Sequence, residues 1–277
     1  MDSSTNQTIQ ASSFSRWQPV FIIFICLAIT ACEYIFAYQD VAYGIVIAMG
    51  LVILIYVMLS LFRFDERTTI CAESLTLLPL YVLFTASLPW FFISQDYLLP
   101  AVYSCILALC LWHIYQKKLS LTEIFDFSHD NEKSTKEYIY YLLLVIMGFG
   151  IGAVTGTVEY FILTPAPAFP IFEVKYLLRD ILYMFFFVSV GEELLFRGLI
   201  QRNMIEALGC KSGIFATAIM FAVMHLTWRS TTELAFVFCA GLLLGAVYWK
   251  TKSLLLPIII HGTNNVILVS VLPYIMN

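Results

Sequence analysis

The sequence predicts an all-α, polytopic transmembrane helical bundle of about eight to nine spans. Of its 277 residues, 61% are hydrophobic and 12% are charged, and the mean hydropathy is +0.86. A soluble domain carries roughly 25% charged and 45–50% apolar residues, so this chain lacks the polar side chains that a water-facing surface requires. Apolar stretches of about 20 residues, the length that crosses a bilayer, recur along the chain. Basic residues are distributed unevenly between them, as in membrane proteins with a fixed orientation.

Nine candidate spans follow from the apolar stretches. They fall near residues 19–38, 41–62, 75–93, 97–116, 138–163, 177–200, 211–228, 232–250 and 253–272. A polar N-terminal segment, residues 1–18, precedes them. The longest polar connection, Lys117–Glu137, ends a four-span N-terminal membrane region (19–137) and leads into a C-terminal membrane domain (138–277).

Lysine and arginine counts orient these spans, because short cytoplasmic loops are enriched in both residues. With a cytoplasmic N-terminus, eleven basic residues lie on the cytoplasmic side and three on the other, while Arg197 falls within a span. The cytoplasmic set is Arg16, Arg63, Arg67, Lys117, Lys118, Lys133, Lys136, Arg202, Lys211, Lys250 and Lys252; the other set is Lys175, Arg179 and Arg229. We therefore predict that the N-terminus and the Lys117–Glu137 loop are cytoplasmic and that Asn277 lies outside.

Composition also restricts the partners. The net charge is −4 and no basic stripe is present, which argues against nucleic-acid binding. The seven cysteines lack zinc-type or C-x-x-C spacing. The expected partners are membrane lipid and a membrane-anchored protein or peptide, and the expected location is the cell membrane of a prokaryote or the endoplasmic reticulum of a eukaryote. The oligomeric state is not indicated.

Charged residues within spans concentrate in the C-terminal domain. Each costs about 2.5–3.5 kcal/mol at the centre of a membrane, so their presence indicates a use. In the sixth span, Glu193 and Arg197 are four residues apart and share a helix face with the acid N-terminal, which favours an ion pair. Glu192 points about 100° away and has no local cation, a setting suited to accepting a proton from water. In the front half, Glu33 lies near a span end, where snorkelling of its side chain or interfacial water is expected to keep it solvated.

Two further spans provide possible partners for these carboxylates. The seventh span contains Phe221-x-x-x-His225, and the ninth contains His261-x-x-x-Asn265. His261 and Asn265 are four residues apart and therefore face the same cavity. A buried carboxylate, two histidines and an asparagine can hold a water molecule and offer donors to a developing oxyanion.

Taken in order, Glu192-Glu193-x-x-x-Arg197, Phe221-x-x-x-His225 and His261-x-x-x-Asn265 resemble the three motifs of the CAAX protease and bacteriocin-processing family. This family includes the type II CAAX prenyl endopeptidases, and the Phe196-Arg197-Gly198 continuation also fits it. The resemblance covers about residues 177–272.

The resemblance implies a hydrolase: an intramembrane glutamic endopeptidase that cuts membrane-associated, including prenylated CAAX-type, substrates. Glu192 and His225 would activate the water, and His261 with Asn265 would form the oxyanion hole. The supporting residues would be Glu193, Arg197 and Phe221. The resemblance further implies that no metal is required and that the cavity opens towards the cytoplasm.

Three other functions stay open from the residues alone. Two histidines and a glutamate can bind zinc, although the H-E-x-x-H signature is absent. A transporter or channel could use the intramembrane charges as an ion path, and a non-catalytic scaffold could retain them. The enzyme also requires Glu192 and His225 to meet. Either the seventh span starts below the membrane plane, or the sixth helix extends through Ala207 and sets Glu192 deeper.

Overall fold

The computed structural model describes residues 3–91, 95–125 and 135–276, which form helices joined by short turns and contain no strand. Part of the predicted Lys117–Glu137 loop lies outside these residues. The front helices are α1 (Ser3–Tyr38), α2 (Val41–Leu61), α3 (Glu66–Leu75), α4 (Leu77–Ser87), a 3-10 turn (Leu88–Phe91), α5 (Gln95–Gln116) and α6 (Leu121–Phe125).

The C-terminal domain is also helical. Its elements are α7 (Thr135–Leu163), α8 (Val174–Leu182), a π-helix (Tyr183–Ser189), α9 (Val190–Glu193), a second π-helix (Leu194–Gln201), α10 (Arg202–Leu208), α11 (Cys210–Val223), a 3-10 turn (Leu226–Trp228), α12 (Thr231–Thr251), α13 (Leu255–Val266), a third π-helix (Ile267–Val271) and α14 (Leu272–Met276). The predicted all-α polytopic bundle is therefore confirmed.

Eight helical segments of the described chain are long and apolar enough to cross a membrane. The sixth predicted span, 177–200, is not among them because of its charged residues, which include Glu192, Glu193 and Arg197. It is nevertheless part of one uninterrupted helix from Val174 to Leu208. We call this segment the central helix. Glu192, Glu193 and Arg197 are buried among the other helices, which is why the central helix tolerates a polarity that lipid would not.

The third span begins earlier than the sequence predicts. Its helical segment is Glu66–Ser87, whereas residues 75–93 were expected. The cause is a helix cap: the Asp65 carboxylate accepts a hydrogen bond from the Thr68 backbone N–H at 2.7 Å, which starts α3 before the apolar stretch begins.

The spans alternate in direction, so their ends gather at two faces. At one face, Thr68 at the start of α3 lies beside Gln18 of α1, and Lys117 after α5 pairs with Glu73. We call this the basic end, because the described members of the cytoplasmic set, such as Arg63, Arg67, Lys117 and Lys211, belong to its connections. At the opposite end, Arg229 Nε donates to the Ala37 carbonyl at 2.9 Å, and the Phe169 N–H donates to Tyr274 at 3.1 Å.

The central helix contains two wide turns. The π-helices Tyr183–Ser189 and Leu194–Gln201 flank the short α9 that carries the two glutamates. In the first, Ser189 Oγ donates to the carbonyl of Met184, five residues earlier, at 2.7 Å. Such wide turns are frequent at functional sites. These two π-helices therefore change which side chains of the central helix face each neighbouring helix.

Helix α7 packs closely on α13 through three glycines, Gly148, Gly152 and Gly156. A β-carbon on Gly152 would lie 2.5 Å from the Ile260 carbonyl oxygen, and one on Gly148 would lie 2.6 Å from Leu256 Cδ1. Small residues at four-residue spacing allow two membrane helices to approach at backbone distance. These three glycines, which we call the glycine stripe, therefore hold α13 against α7. Helix α13 carries His261 and Asn265.

Candidate active site

The predicted site residues meet around one cavity of about 320 Å³. Glu192 enters it from the central helix, His225 from the turn after α11, and both His261 and Asn265 from α13. Glu193, Arg197 and Phe221 stand directly behind this group, as described below. The three motifs, far apart in sequence, thus meet in one place.

The two adjacent glutamates face different neighbours. Glu192 Oε1 accepts a hydrogen bond from the hydroxyl of Tyr103 on α5, and the hydroxyl of Tyr81 on α4 lies 3.4 Å from the same oxygen. The two hydroxyls are 2.8 Å apart. Within the described residues, Glu192 Oε2 has no hydrogen-bond partner, although it is buried. One carboxylate oxygen is therefore held in place while the other is free beside the cavity.

Neither tyrosine was identified from the sequence. The chain has 16 tyrosines, and aromatic residues in spans are ordinarily attributed to lipid and interface contact. The contact between Tyr103 and Glu192 joins residues 89 positions apart. A close approach marks the pairing in the structure, because a β-carbon on Gly191 would lie 3.0 Å from Tyr103 Cδ1. Gly191, the small residue next to the two glutamates, was the one feature of the sequence that could have indicated a close contact there.

Glu193 faces the C-terminal domain instead. Its Oε1 atom lies 3.1 Å from Arg197 Nη1, the pair expected from the four-residue spacing, and 2.8 Å from His261 Nδ1. Glu193 and Arg197 are almost fully buried. The Arg197 guanidinium also lies over the ring of Phe221, 4.4 Å from its centroid, an attractive cation–π geometry. The sequence did not predict that His261 shares this carboxylate.

His261 therefore lies between the two glutamates. Because a carboxylate only accepts hydrogen bonds, Nδ1 of His261 is the donor to Glu193. Its other nitrogen, Nε2, is 3.8 Å from Glu192 Oε2 and is directed towards the cavity. Second-shell carboxylates orient imidazole rings in this way. Glu193 thus holds a proton on Nδ1 and sets the direction of the His261 ring.

His225 is oriented by the backbone. Its Nδ1 atom is 2.8 Å from the Phe221 carbonyl oxygen, so Nδ1 is the donor and Nε2 is left for the cavity. The question of depth is also answered, because the central helix continues through Leu208. Glu192 lies 16 residues before that end, and His225 lies 15 residues after Cys210, or about 24 and 22 Å at helical rise. The two residues are level.

The sequence analysis did not identify the other polar residues that line the cavity, or assigned them a different environment. Glu33 is 3% exposed and lines the cavity; the expectation that interfacial water solvates it at a span end is wrong, because α1 packs that face against the bundle. Glu159 and Glu233 also line the cavity. The amide of Asn264 donates to Glu159. Among the described residues, no three metal-binding side chains converge on one point.

The comparison with protein families agrees with the geometry. Residues 175–267, about one third of the chain, match the family model described as type II CAAX prenyl endopeptidase, Rce1-like. Neither the curated proteins nor the solved structures contain a significant match. At family level, the match supports a CAAX-type intramembrane protease. Residues 175–267 contain all three motifs and are similar to the Rce1-like type II CAAX prenyl endopeptidases, which confirms the resemblance drawn from those motifs.

Proposed function

We propose that this chain is an intramembrane glutamic endopeptidase in which Glu192 is the general base. One observation carries the proposal: Glu192 has one oxygen fixed by tyrosine hydroxyls and one free oxygen beside a cavity shared with His225, His261 and Asn265. A base must be held in position and still have an open lone pair, since both geometry and proton affinity determine its efficiency.

The reaction proceeds in two proton transfers. A water molecule between Glu192 Oε2 and His225 Nε2 gives a proton to Glu192 as its oxygen bonds to the scissile carbonyl carbon. The carbonyl π electrons move to oxygen and form an oxyanion. When the tetrahedral intermediate collapses, the C–N bond breaks and Glu192 returns the proton to the leaving amine.

The oxyanion is stabilised by Asn265 and His261. For Nε2 of His261 to donate while Nδ1 donates to Glu193, the ring must be an imidazolium. Glu193 accepts from both Arg197 and His261, so two acids and two cations make a neutral buried group. Donors fixed in a low-dielectric site act strongly on developing charge.

The substrate class follows from the family match and the apolar surroundings. We infer a membrane-anchored protein or peptide, with prenylated CAAX-type peptides as one candidate group. The reaction as written uses no metal ion, since the carboxylate itself generates the nucleophile. Zinc-assisted hydrolysis is the competing mechanism for the same residue types.

Peptide cleavage by the purified protein tests this proposal. A panel of prenylated and unprenylated fluorogenic peptides is offered to protein in lipid nanodiscs, with and without a strong zinc chelator. The wild type should cleave part of the panel in both conditions, and the folded His225→Ala variant should not. Loss of cleavage on chelation, restored by zinc, would favour a metalloprotease. Absence of cleavage across the panel would favour a transporter or a scaffold.

A further inference from the structure

We propose that Glu33, Glu159 and Glu233 form a subsite for a cationic side chain beside Glu192, so that the cavity selects peptides with a lysine or arginine close to the scissile bond. The description of the ligand as a peptide substrate rests on the proposed function. The subsite itself rests on three buried carboxyl groups that line the cavity and that the reaction described above does not use.

The three carboxyl groups come from three separate helices. Glu33 belongs to α1, Glu159 to α7 and Glu233 to the first turn of α12, and all three line the same cavity as Glu192. Their exposed fractions are 3%, 7% and 1%. Acids buried within membrane helices are costly and ordinarily mark the path or the site of a substrate or an ion. Only the packing of α1, α7 and α12 brings these three together, so their common position is a property of the fold.

The Glu159 side of this cluster adjoins the catalytic residues. Glu159 shares a second, smaller recess with His225 and Asn265, and it accepts a hydrogen bond from the Asn264 amide. The side chain of Glu233 lies within hydrogen-bonding distance of Glu159. A group bound by this pair of acids would therefore lie next to the residues that act on the scissile bond.

Two of the three carboxyl groups have an oxygen without a partner. Within the described residues, Oε2 of Glu33 and Oε2 of Glu233 are buried and accept no hydrogen bond. Arg229, in the turn before α12, is engaged elsewhere: its Nε atom donates to the Ala37 carbonyl at 2.9 Å, and its guanidinium lies 5.9 Å from the centroid of the Tyr38 ring. A buried acceptor that stays unpaired costs free energy. The two free oxygens therefore indicate a donor that enters the cavity from outside the chain.

The charge of the lining indicates which donor fits. Four glutamates and two histidines line the cavity, and no lysine or arginine of the described chain does. An ammonium or guanidinium group makes charge-assisted hydrogen bonds to such acceptors, whereas a neutral side chain would leave them unpaired. Sites built to hydrogen-bond a substrate group discriminate strongly against analogues that lack it.

The size of the cavity limits where the basic residue stands in the peptide. Its volume of about 320 Å³ is at the small end of binding pockets, which span about 300–1,000 Å³. A peptide whose scissile bond lies beside Glu192 can place only its adjacent residues in the same cavity. The lysine or arginine should therefore lie within a few positions of that bond.

Peptides that differ in a single side chain test the subsite without requiring turnover. Membrane-anchored peptides carry either lysine or its neutral isostere norleucine at one position, and the position is moved along the sequence. Binding is measured with Glu192→Gln protein in nanodiscs of zwitterionic lipid, so that the bilayer itself does not attract the lysine. At one or more positions, lysine should bind about tenfold more tightly than norleucine, or more.

Three further substitutions, each added to the Glu192→Gln protein, assign this preference. Glu33→Gln and Glu233→Gln should each reduce the ratio of lysine to norleucine affinity towards one. Glu66→Gln changes an exposed acid at the start of α3 and should leave the ratio unaltered. Thermal unfolding identifies the variants that are folded, and if one of the two buried variants unfolds, the other decides.

Equal binding of lysine and norleucine peptides at every position would overturn the proposal, and so would a lysine preference that survives in the folded Glu33 and Glu233 variants. If the wild type then cleaves both kinds of peptide with equal kcat/KM, the subsite is refuted and the protease function stands. Lysine-selective binding that is lost in these variants, without cleavage of any peptide by the wild type, would keep the subsite and refute the protease function instead.

Discussion

The two halves of the molecule meet at two consecutive residues. Glu192 is held by tyrosine hydroxyls of the front half, on α4 and α5, whereas Glu193 is held by Arg197 and His261 of the C-terminal domain. The hydrogen bonds to Glu192 thus come from neutral hydroxyls, whereas Glu193 accepts charge-assisted hydrogen bonds, which are the stronger kind. The front half therefore supplies part of the site, although the family match lies wholly outside it.

The largest expected effect separates the two carboxylates by activity. Glu192→Gln removes the base but keeps the shape and the ability to accept from Tyr103. Turnover should fall by about 10²–10⁴-fold or more, with a melting temperature close to that of the wild type. Peptide turnover and thermal unfolding in detergent measure both. If Glu192→Gln unfolds while Glu193→Gln is folded and inactive, the two roles have been exchanged.

The largest loss of stability is expected from substitutions of Glu193 and its partner Arg197. Glu193→Gln leaves Arg197 buried without its anion, and Arg197→Met leaves the acid without that cation; each should destabilise by about 3–5 kcal/mol. The double variant should recover part of this loss, because the uncompensated charge is gone. Denaturant or thermal unfolding of the three proteins gives the coupling energy. Strictly additive losses would contradict the pairing.

A smaller effect is expected from the front half. Tyr103→Phe removes a hydrogen bond to a charged acceptor, worth about 1.5–3 kcal/mol, or roughly 10–100-fold in rate. The loss should appear in kcat with KM unchanged, because the hydroxyl orients the base and does not bind the peptide. Steady-state kinetics on the best peptide measure it. Unchanged kcat would show that the Tyr103 hydroxyl plays no part in catalysis.

The smallest effect should come from the second tyrosine. Its hydroxyl is 3.4 Å from Glu192, at the outer limit of hydrogen bonding, and it acts mainly by bonding to Tyr103. Tyr81→Phe should lower kcat only a few-fold, clearly less than Tyr103→Phe does. The same assay compares them directly, and the reverse order would identify Tyr81 as the main donor.

The features that could be predicted from the sequence alone are those that depend on nearby residues or on a repeated pattern. The spans follow from composition, and the Glu193–Arg197 pair follows from helix periodicity. Contacts between distant segments were not predictable: nothing in α5 distinguishes Tyr103 from its neighbours until α5 is packed against Gly191. The environment of Glu33 was predicted wrongly for the same reason. The sequence shows how far Glu33 lies from a span end, but it does not show which face of α1 is covered by other helices. The shared carboxylate of His261 also depends on packing of two separate helices.

The glycine stripe of α7 has a consequence for sequence change. This helix is the least buried of the eight candidate spans, with 17% of its window covered, and lipid-facing positions of membrane helices ordinarily exchange one apolar residue for another freely. At Gly152, however, a single methyl group would collide with the carbonyl of Ile260, the residue before His261. Tolerance to substitution should therefore differ between the two faces of α7. The lipid-facing side should accept most apolar residues, whereas the glycine side against α13 should be as restricted as the active site.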